Sequence, residues 1–89
     1  MRVTVEYWAH FRSAATVDAE DIEVPRDADV LAVLQCVASR HEAMRSLLFE
    51  EGGEVRSGVL VSLGARTVSS DSELTSGDVV RLMPAIAGG

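Results

Sequence analysis

The sequence predicts an α+β fold, in which a mixed sheet of about five strands carries one main helix on one face. Three observations predict it. Side chains near the N-terminus alternate with period two, a helical apolar stripe occupies the middle of the chain, and short apolar runs bounded by turn residues follow it. With 89 residues, the chain is expected to form one domain around one modest core.

The N-terminal segment predicts a β-hairpin. Residues 3–8 alternate apolar and polar side chains, which is typical of a half-buried strand. Residues 13–18 are mostly polar and small and predict a turn. Ile22 and Val24 continue the alternation in a second strand, which Pro25 closes because proline cannot extend a central ladder.

The period then changes to that of a helix. Asp29 is a suitable N-cap, because its carboxylate can accept from free backbone N–H groups of the first turn. The apolar residues that follow fall at i, i+3, i+4 and i+7: Val30, Val33, Leu34 and Val37. We expect this helix to end near Arg40 or His41, where a cation suits the negative end of the helix dipole. Residues 44–49 predict a further helical turn.

The second half of the chain returns to strands. Residues 59–63 form a strongly apolar strand, and Gly64 permits the mirror-image turn of a tight hairpin with a short return strand at 66–68. Leu74 is predicted to enter the core, and residues 79–83 form the last strand. This order of elements is the β-grasp arrangement.

The predicted domain spans residues 1–83, and residues 84–89 are predicted to be a flexible, extended C-terminal tail that ends in two glycines. The remaining side chains indicate little chemistry of their own. Cys36 is expected to be a half-buried structural thiol, and His41 a helix-end residue. His10 has no partners at metal-ligand spacing, so no metal site is predicted. The glycine pair at 52–53 lacks the features of a phosphate loop.

Composition narrows the classes of partner. The net charge of −6 argues against nucleic acid, because phosphate binding needs a clustered basic surface. No apolar run approaches the ~20 residues of a membrane span, and no signal peptide is expected. The single cysteine excludes an internal disulfide, which fits a cytoplasmic location. All eight basic residues are arginine, so no side chain offers an amine for an isopeptide bond.

Several segments carry a resemblance to a known family. These are Gly-Asp-Val at 77–79, Leu-Met-Pro at 82–84, Ile-Ala-Gly-Gly at 86–89, and the run Tyr-Trp-Ala-His-Phe-Arg at 7–12. The chain resembles the ubiquitin-like sulfur carriers, a family that includes the thiamine-pathway carrier and the small subunit of molybdopterin synthase. The N-terminal run resembles that of the molybdopterin synthase small subunits. The length is less like the compact thiamine carrier and is compatible with the molybdopterin type and with carriers for cysteine or secondary-metabolite synthesis. Ser13 departs from that pattern, because an acidic residue is common there.

The resemblance implies a chemistry centred on the C-terminus. The carboxylate of Gly89 is expected to be adenylated and converted to a thiocarboxylate, while Gly88 lets the tail pass through a narrow channel. ATP, with Mg, is used by the adenylating partner, and the chain itself needs no cofactor. By this reading the protein is at most the sulfur-donating subunit of molybdopterin synthase and not a catalyst alone.

The resemblance also assigns residues to presenting and docking the tail. Pro84 sets the exit direction, Ala85 and Ala87 keep the tail thin, and Ile86 contacts an apolar wall. The candidate docking residues are Met83, Arg12, Trp8 and Phe11, with ordinary core packing as the alternative for the aromatic residues.

The expected partners follow from the same resemblance. They are an E1-like adenylating enzyme, a sulfurtransferase, and the large subunit of molybdopterin synthase in a heterotetramer. A carrier for cysteine, thiamine or a secondary metabolite is the alternative within the fold. Two other classes stay open: a ubiquitin-like modifier that attaches Gly89 to lysines of other proteins, and an interaction module with an inert terminus.

Overall fold

The computed structural model describes residues 1–85, so the predictions for Ile86, Ala87, Gly88 and Gly89 lie outside the described residues. Eight elements follow one another along the chain: β1 (Arg2–Tyr7), α1 (His10–Ala15), β2 (Ala19–Glu23), α2 (Val30–Arg40), α3 (Glu42–Leu48), β3 (Val59–Leu63), β4 (Arg66–Val68) and β5 (Val79–Pro84). In this part of the chain, no helix has the length and apolarity needed to cross a membrane.

The strands form one mixed sheet in the order β2-β1-β5-β3-β4. The central pair, β1 and β5, is parallel, and the other neighbours are antiparallel. The predicted mixed five-stranded sheet is therefore confirmed. Because both termini of the domain contribute to the central strands, β5 emerges from the middle of the sheet beside the end of β1.

Hydrophobic periodicity explains both the strands and the main helix. Every second residue of β1 is buried, from Val3 to Tyr7, and the predicted apolar stripe of α2 is completely buried against the same core. Asp29 caps α2 as predicted, because its Oδ1 accepts from the backbone N–H of Ala32 at 2.9 Å. Leu74 is also buried in this core, as predicted.

The turn predicted at residues 13–18 is wrong over its first half, because α1 extends to Ala15. Phe11 and Ala15 lie one helical turn apart and are both buried, while the polar residues between them face solvent. Thr16 ends the helix in the left-handed region, with φ of 64°, and its N–H donates to the carbonyl of Arg12. A helix of six residues offers too few apolar positions for its period to be recognised.

Glu20 on β2 is the centre of a polar cluster that joins the hairpin to the end of α2. The Tyr7 hydroxyl donates to Glu20 Oε2 at 2.5 Å, and His41 Nε2 lies 2.5 Å from the same oxygen. Arg40 Nη1 donates to Oε1 at 2.8 Å. Burial raises the pKa of the Glu20 carboxyl, but the hydrogen bonds from Tyr7, His41 and Arg40 outweigh burial and hold the pKa below its usual value.

The lowered pKa gives a stability change with a definite sign. Because Glu20 holds its proton less tightly when folded, its stabilisation is complete above the unfolded value of 4.5 and is lost as pH falls through the folded value. We expect Glu20→Gln to lower the free energy of unfolding by about 1–3 kcal/mol at neutral pH, with a smaller difference from the parent chain in acid. Urea unfolding over a pH series measures this.

The control for this prediction is Glu51→Gln, which changes an exposed carboxylate outside the cluster and should have little effect. A difference between Glu20→Gln and the parent that stays constant into acid would contradict the electrostatic explanation.

Candidate functional site: an apolar face at the root of the tail

An exposed apolar face lies where β5 ends. We call it the tail-root face, and its residues are Trp8, Ala9, Leu60, Met83 and Pro84. They come from three separate parts of the chain: the link between β1 and α1, the start of β3 and the end of β5. Trp8 is 51% exposed, although a large apolar side chain is normally buried. An apolar concavity of this kind indicates a contact surface.

Strand register brings these residues together. Leu60 and Met83 are direct partners on β3 and β5, and Val59 pairs with Pro84. The N–H of Trp8 donates to the carbonyl of Leu82 at 3.1 Å, which places Trp8 beside the end of β5. Leu82 itself is buried, so the alternation along β5 leaves Met83 on the opposite, outer side of the sheet.

Pro84 belongs to β5, one residue beyond the predicted end of that strand. The N–H of Ala85 donates to the carbonyl of Gly58, next to β3, at 2.8 Å. The nitrogen of Pro84 therefore faces the β1 side of β5, and β1 has already ended at this level of the sheet. The carbonyl of Trp8 instead accepts from the N–H of Phe11, at the start of α1. The missing proline N–H therefore removes no ladder bond, and the chain stays extended through Ala85.

Ion pairs flank the tail-root face. On the outer side of the sheet, Arg81 Nε donates to Glu6 Oε1 at 2.9 Å. Arg81 lies two residues before Met83, on the same side of β5. Next to Trp8, Arg12 Nε lies 3.8 Å from Asp18 Oδ1, and both of these side chains are exposed. An apolar centre with a charged rim is the usual composition of a protein–protein interface. Arg12 lies beside Trp8 at this rim, and its docking role stays a prediction.

Phe11 is not available for docking. It is 1% exposed and packs in the core, with its ring centroid 4.2 Å from that of His10. The candidate docking role of Phe11 is therefore wrong, and core packing, the alternative named for it, is correct. The helix α1 explains this, because it turns Phe11 inward directly after the exposed Trp8.

The sequence analysis missed Leu60 and Ala9. Leu60 was assigned to an apolar strand without a face, and only its pairing with Met83 shows that it lies on the outer side. Nothing in the sequence indicates the role of Ala9. Its backbone has φ 54° and ψ −130°, a conformation that glycine normally occupies and that an alanine does not predict. This strained residue joins the exposed Trp8 to the helix that buries Phe11.

The strain at Ala9 gives a stability prediction. We expect Ala9→Gly to raise the free energy of unfolding by about 1 kcal/mol, because glycine adopts this conformation without a Cβ penalty. The matched control is Ala14→Gly within α1, which should lower stability by about 0.5–1 kcal/mol. Urea unfolding of both variants measures the effect, and a loss of stability for Ala9→Gly would show that the conformation is not strained.

The other candidate residues lie apart from this face. Cys36 is half-buried on α2 and packs against the core, as predicted. His41 is the C-cap residue of α2, as predicted, and also contacts Glu20. Within residues 1–85, no group of three or more histidine, cysteine or acidic side chains is placed to hold a metal ion.

Comparison with known proteins places the chain among small β-grasp proteins. A sequence model described as the ThiS family matches residues 5–89. A Pyrococcus furiosus protein assigned as molybdopterin converting factor, subunit 1, is 38% identical, with coverage of 97% of this chain and 99% of that chain and a TM-score of 0.83. No protein with a curated description matches the chain.

Two further solved structures extend the likeness. SAMP1 from Haloferax volcanii is 22% identical, with complete coverage of both chains and a TM-score of 0.91, which shows the shared ubiquitin-like β-grasp fold. The Amycolatopsis orientalis BexX/CysO complex contains a chain 26% identical to this one, with coverage of 98% and 99% and a TM-score of 0.75. The predicted fold is thereby confirmed.

Proposed function

Because the chain belongs to the ThiS family of ubiquitin-like sulfur carriers, we propose that it carries sulfur as a thiocarboxylate on Gly89. One observation supports this most directly: the last strand leads the chain out of the middle of the sheet beside an exposed apolar face. A partner that binds this face is adjacent to the start of the segment that ends in Gly88 and Gly89.

The proposed chemistry needs activation, because a carboxylate is a poor electrophile. A carboxylate oxygen of Gly89 attacks the α-phosphorus of ATP and releases pyrophosphate, which leaves an acyl-adenylate. The terminal sulfur of a persulfide then attacks the acyl carbon and displaces AMP, which carries away one carboxylate oxygen. A thiol of the sulfurtransferase or the adenylating enzyme attacks the donor cysteine's sulfur in the resulting acyl disulfide, so a new disulfide forms and the thiocarboxylate is released. ATP and Mg bind to the adenylating enzyme in this scheme, and a sulfurtransferase provides the persulfide.

The tail residues suit entry into a narrow active site. Pro84 is extended and restricts φ at the exit from the sheet, and Ala85 adds only a methyl group. In the proposal Ile86 contacts an apolar wall, Ala87 keeps the tail thin, and Gly88 adapts its backbone to the channel. The tail-root face then supplies the docking energy, through Trp8 and Met83 at its centre and Arg12 at its rim.

We favour the small subunit of molybdopterin synthase as the specific role. The supporting observation is the 38% identity over nearly the full length to the Pyrococcus furiosus protein assigned as molybdopterin converting factor, subunit 1. The partner in that role is the large subunit, which forms a heterotetramer with the carrier and accepts the sulfur onto its pterin substrate. Cytoplasmic location accords with this role.

Two alternatives rest on the other likenesses. Similarity to a chain of the BexX/CysO complex favours a carrier for cysteine or another metabolite. The shared fold with SAMP1, a small archaeal modifier protein, favours a modifier that attaches Gly89 to lysines of other proteins. The carriers and the modifier share the activated Gly89 carboxylate and differ in the group that attacks it.

The test is the intact mass of the protein after incubation with its adenylating enzyme, ATP and a sulfur donor. A mass increase that corresponds to replacement of one oxygen by sulfur supports the carrier. Omission of ATP is the control and should leave the mass unchanged. Covalent adducts on lysines of other proteins, without thiocarboxylate, would instead favour the modifier. Co-purification with a molybdopterin synthase large subunit would identify the pathway, and co-purification with another sulfur-accepting enzyme would contradict it.

A further inference from the structure

The edge of the sheet formed by β2 carries unused backbone hydrogen-bonding groups. Within residues 1–85, β2 pairs with β1 alone. Two bonds of 2.8 Å fix which groups face β1: Val24 N–H to the carbonyl of Met1, and Tyr7 N–H to the carbonyl of Asp18. Because backbone groups alternate in direction along a strand, the N–H and C=O of residues 19, 21 and 23 face away from the sheet.

A groove lies beside this edge, between β2 and α2, with a volume of about 620 Å³. The buried side chain of Ile22 lies at its base, and Ala32 and Cys36, one turn apart on α2, form part of its wall. A strand added next to β2 would therefore place every second side chain against α2. Small or medium apolar side chains fit that surface, while the intervening side chains lie on the outer side of the sheet.

The charge on the outer side of the sheet determines which residues of an added strand are favourable at the positions that face away from α2. Asp21 and Glu23 project there at register positions opposite Thr4 and Arg2, and both carboxylates are exposed. Glu23 already has a cationic partner, because its Oε1 accepts from Arg2 Nε at 3.0 Å. Asp21 accepts from the Thr4 hydroxyl at 2.8 Å, so its negative charge has no cationic partner in that contact. A second copy of β2 would bring acidic residues opposite acidic residues, which is destabilising, whereas arginine or lysine is favourable there.

From these observations we propose that the β2–α2 groove binds an extended segment of a partner protein as a sixth strand, antiparallel to β2. The segment alternates basic residues, one of which pairs with Asp21, with apolar residues, which contact Ile22 and α2. Strand addition of this kind derives affinity from backbone hydrogen bonds and specificity from alternate side chains. The β1 strand separates β2 from β5, so a strand bound in the groove does not contact β5.

A capped peptide that alternates arginine and valine over about six residues is the probe. We expect its addition to shift the backbone amide NMR signals of β2 and of the α2 residues Ala32 and Cys36. In an antiparallel pair, arginines opposite Asp21 and Glu23 direct their backbone N–H groups at β2. Methylation of the backbone amide nitrogens of the arginines should therefore abolish binding. Methylation of the backbone amide nitrogens of the valines should leave it largely intact.

The protein side has its own matched pair of variants. Asp21→Pro and Asp21→Ala both remove the carboxylate, but only proline removes the outward N–H, which makes no ladder bond. We expect Asp21→Pro to bind the peptide at least ~10-fold more weakly than Asp21→Ala, because proline removes about one backbone hydrogen bond to the peptide. Thermal unfolding of both variants checks that the hairpin is retained.

Three results would overturn the proposal: no binding of the probe, equal binding of the two methylated peptides, or signal shifts spread over the acidic surface instead of β2 and α2. Each would show that the edge takes up no strand, or that charge alone attracts the peptide. The peptide comparison stands even if Asp21→Pro does not fold, because it uses the unaltered protein.

Discussion

Removal of Gly88 and Gly89 is expected to abolish thiocarboxylate formation and to leave the free energy of unfolding unchanged. The acyl carbon that accepts sulfur is lost with Gly89, whereas the deletion leaves every residue of the described core and sheet in place. Intact mass after incubation with the adenylating enzyme, ATP and a sulfur donor measures the first effect. Urea unfolding measures the second.

A chain extended by one alanine beyond Gly89 is the matched control for this deletion. It keeps both glycines but converts the reactive carboxylate into a peptide bond, so it should also fail to gain sulfur. Gly88→Ala keeps the carboxylate and adds a Cβ, and we expect an intermediate loss that reflects the width of the partner's channel. Normal sulfur loading by the chain without its two glycines would contradict the proposed function.

The second large effect is expected at the tail-root face. Met83→Asp should weaken binding to the adenylating enzyme by about 10–100-fold, because a charge placed at the centre of an apolar interface loses hydration without gaining a partner. Met83 lies on the outer side of β5 and is half-buried, so we expect a smaller loss of stability than from a buried strand residue such as Leu82. Isothermal titration against the enzyme measures binding.

Val17→Asp is the matched control, because Val17 is also an exposed apolar residue, at 41%, but does not line the tail-root face. It should leave affinity unchanged. If Val17→Asp and Met83→Asp weakened binding equally, the effect would be one of net charge and not of this face. If neither did, the partner would dock elsewhere on the chain.

The two proposed surfaces have different physical characters. The tail-root face is apolar with a charged rim, and it lies at the end of β5, from which the segment proposed to react continues. The β2–α2 groove offers backbone hydrogen bonds and acidic side chains at the far edge of the sheet. One surface can therefore hold a partner while the tail enters another enzyme, which suits a protein that passes a group between enzymes.

Much of the fold could be predicted because its signals are local. The period-two alternation of β1, the helical stripe of α2 and the cap at Asp29 each lie within a few residues, and each predicted element is present. The helix α1 was missed because two buried residues, Phe11 and Ala15, do not establish a period. Without that helix, Phe11 stayed a docking candidate with core packing as the alternative.

The Glu20 cluster could not be predicted, because its residues are far apart in sequence. Tyr7 and His41 lie 13 and 21 positions from Glu20, and nothing in their local sequence pairs them. His41 was predicted only as a helix-end residue, since no pattern indicates which carboxylate it meets. Such contacts depend on how the hairpin packs against the end of α2.

By itself, the sequence determined the class of fold, the order of its strands and main helix, and the family, because backbone periodicity, caps and a terminal motif are written in consecutive residues. Only the tertiary structure decided which residues share a surface. Leu60 and Met83 meet through the register of β3 and β5, and Trp8 joins them because the strained backbone at Ala9 turns the chain into α1. Docking surfaces consist of residues distant in sequence, and packing alone brings such residues together.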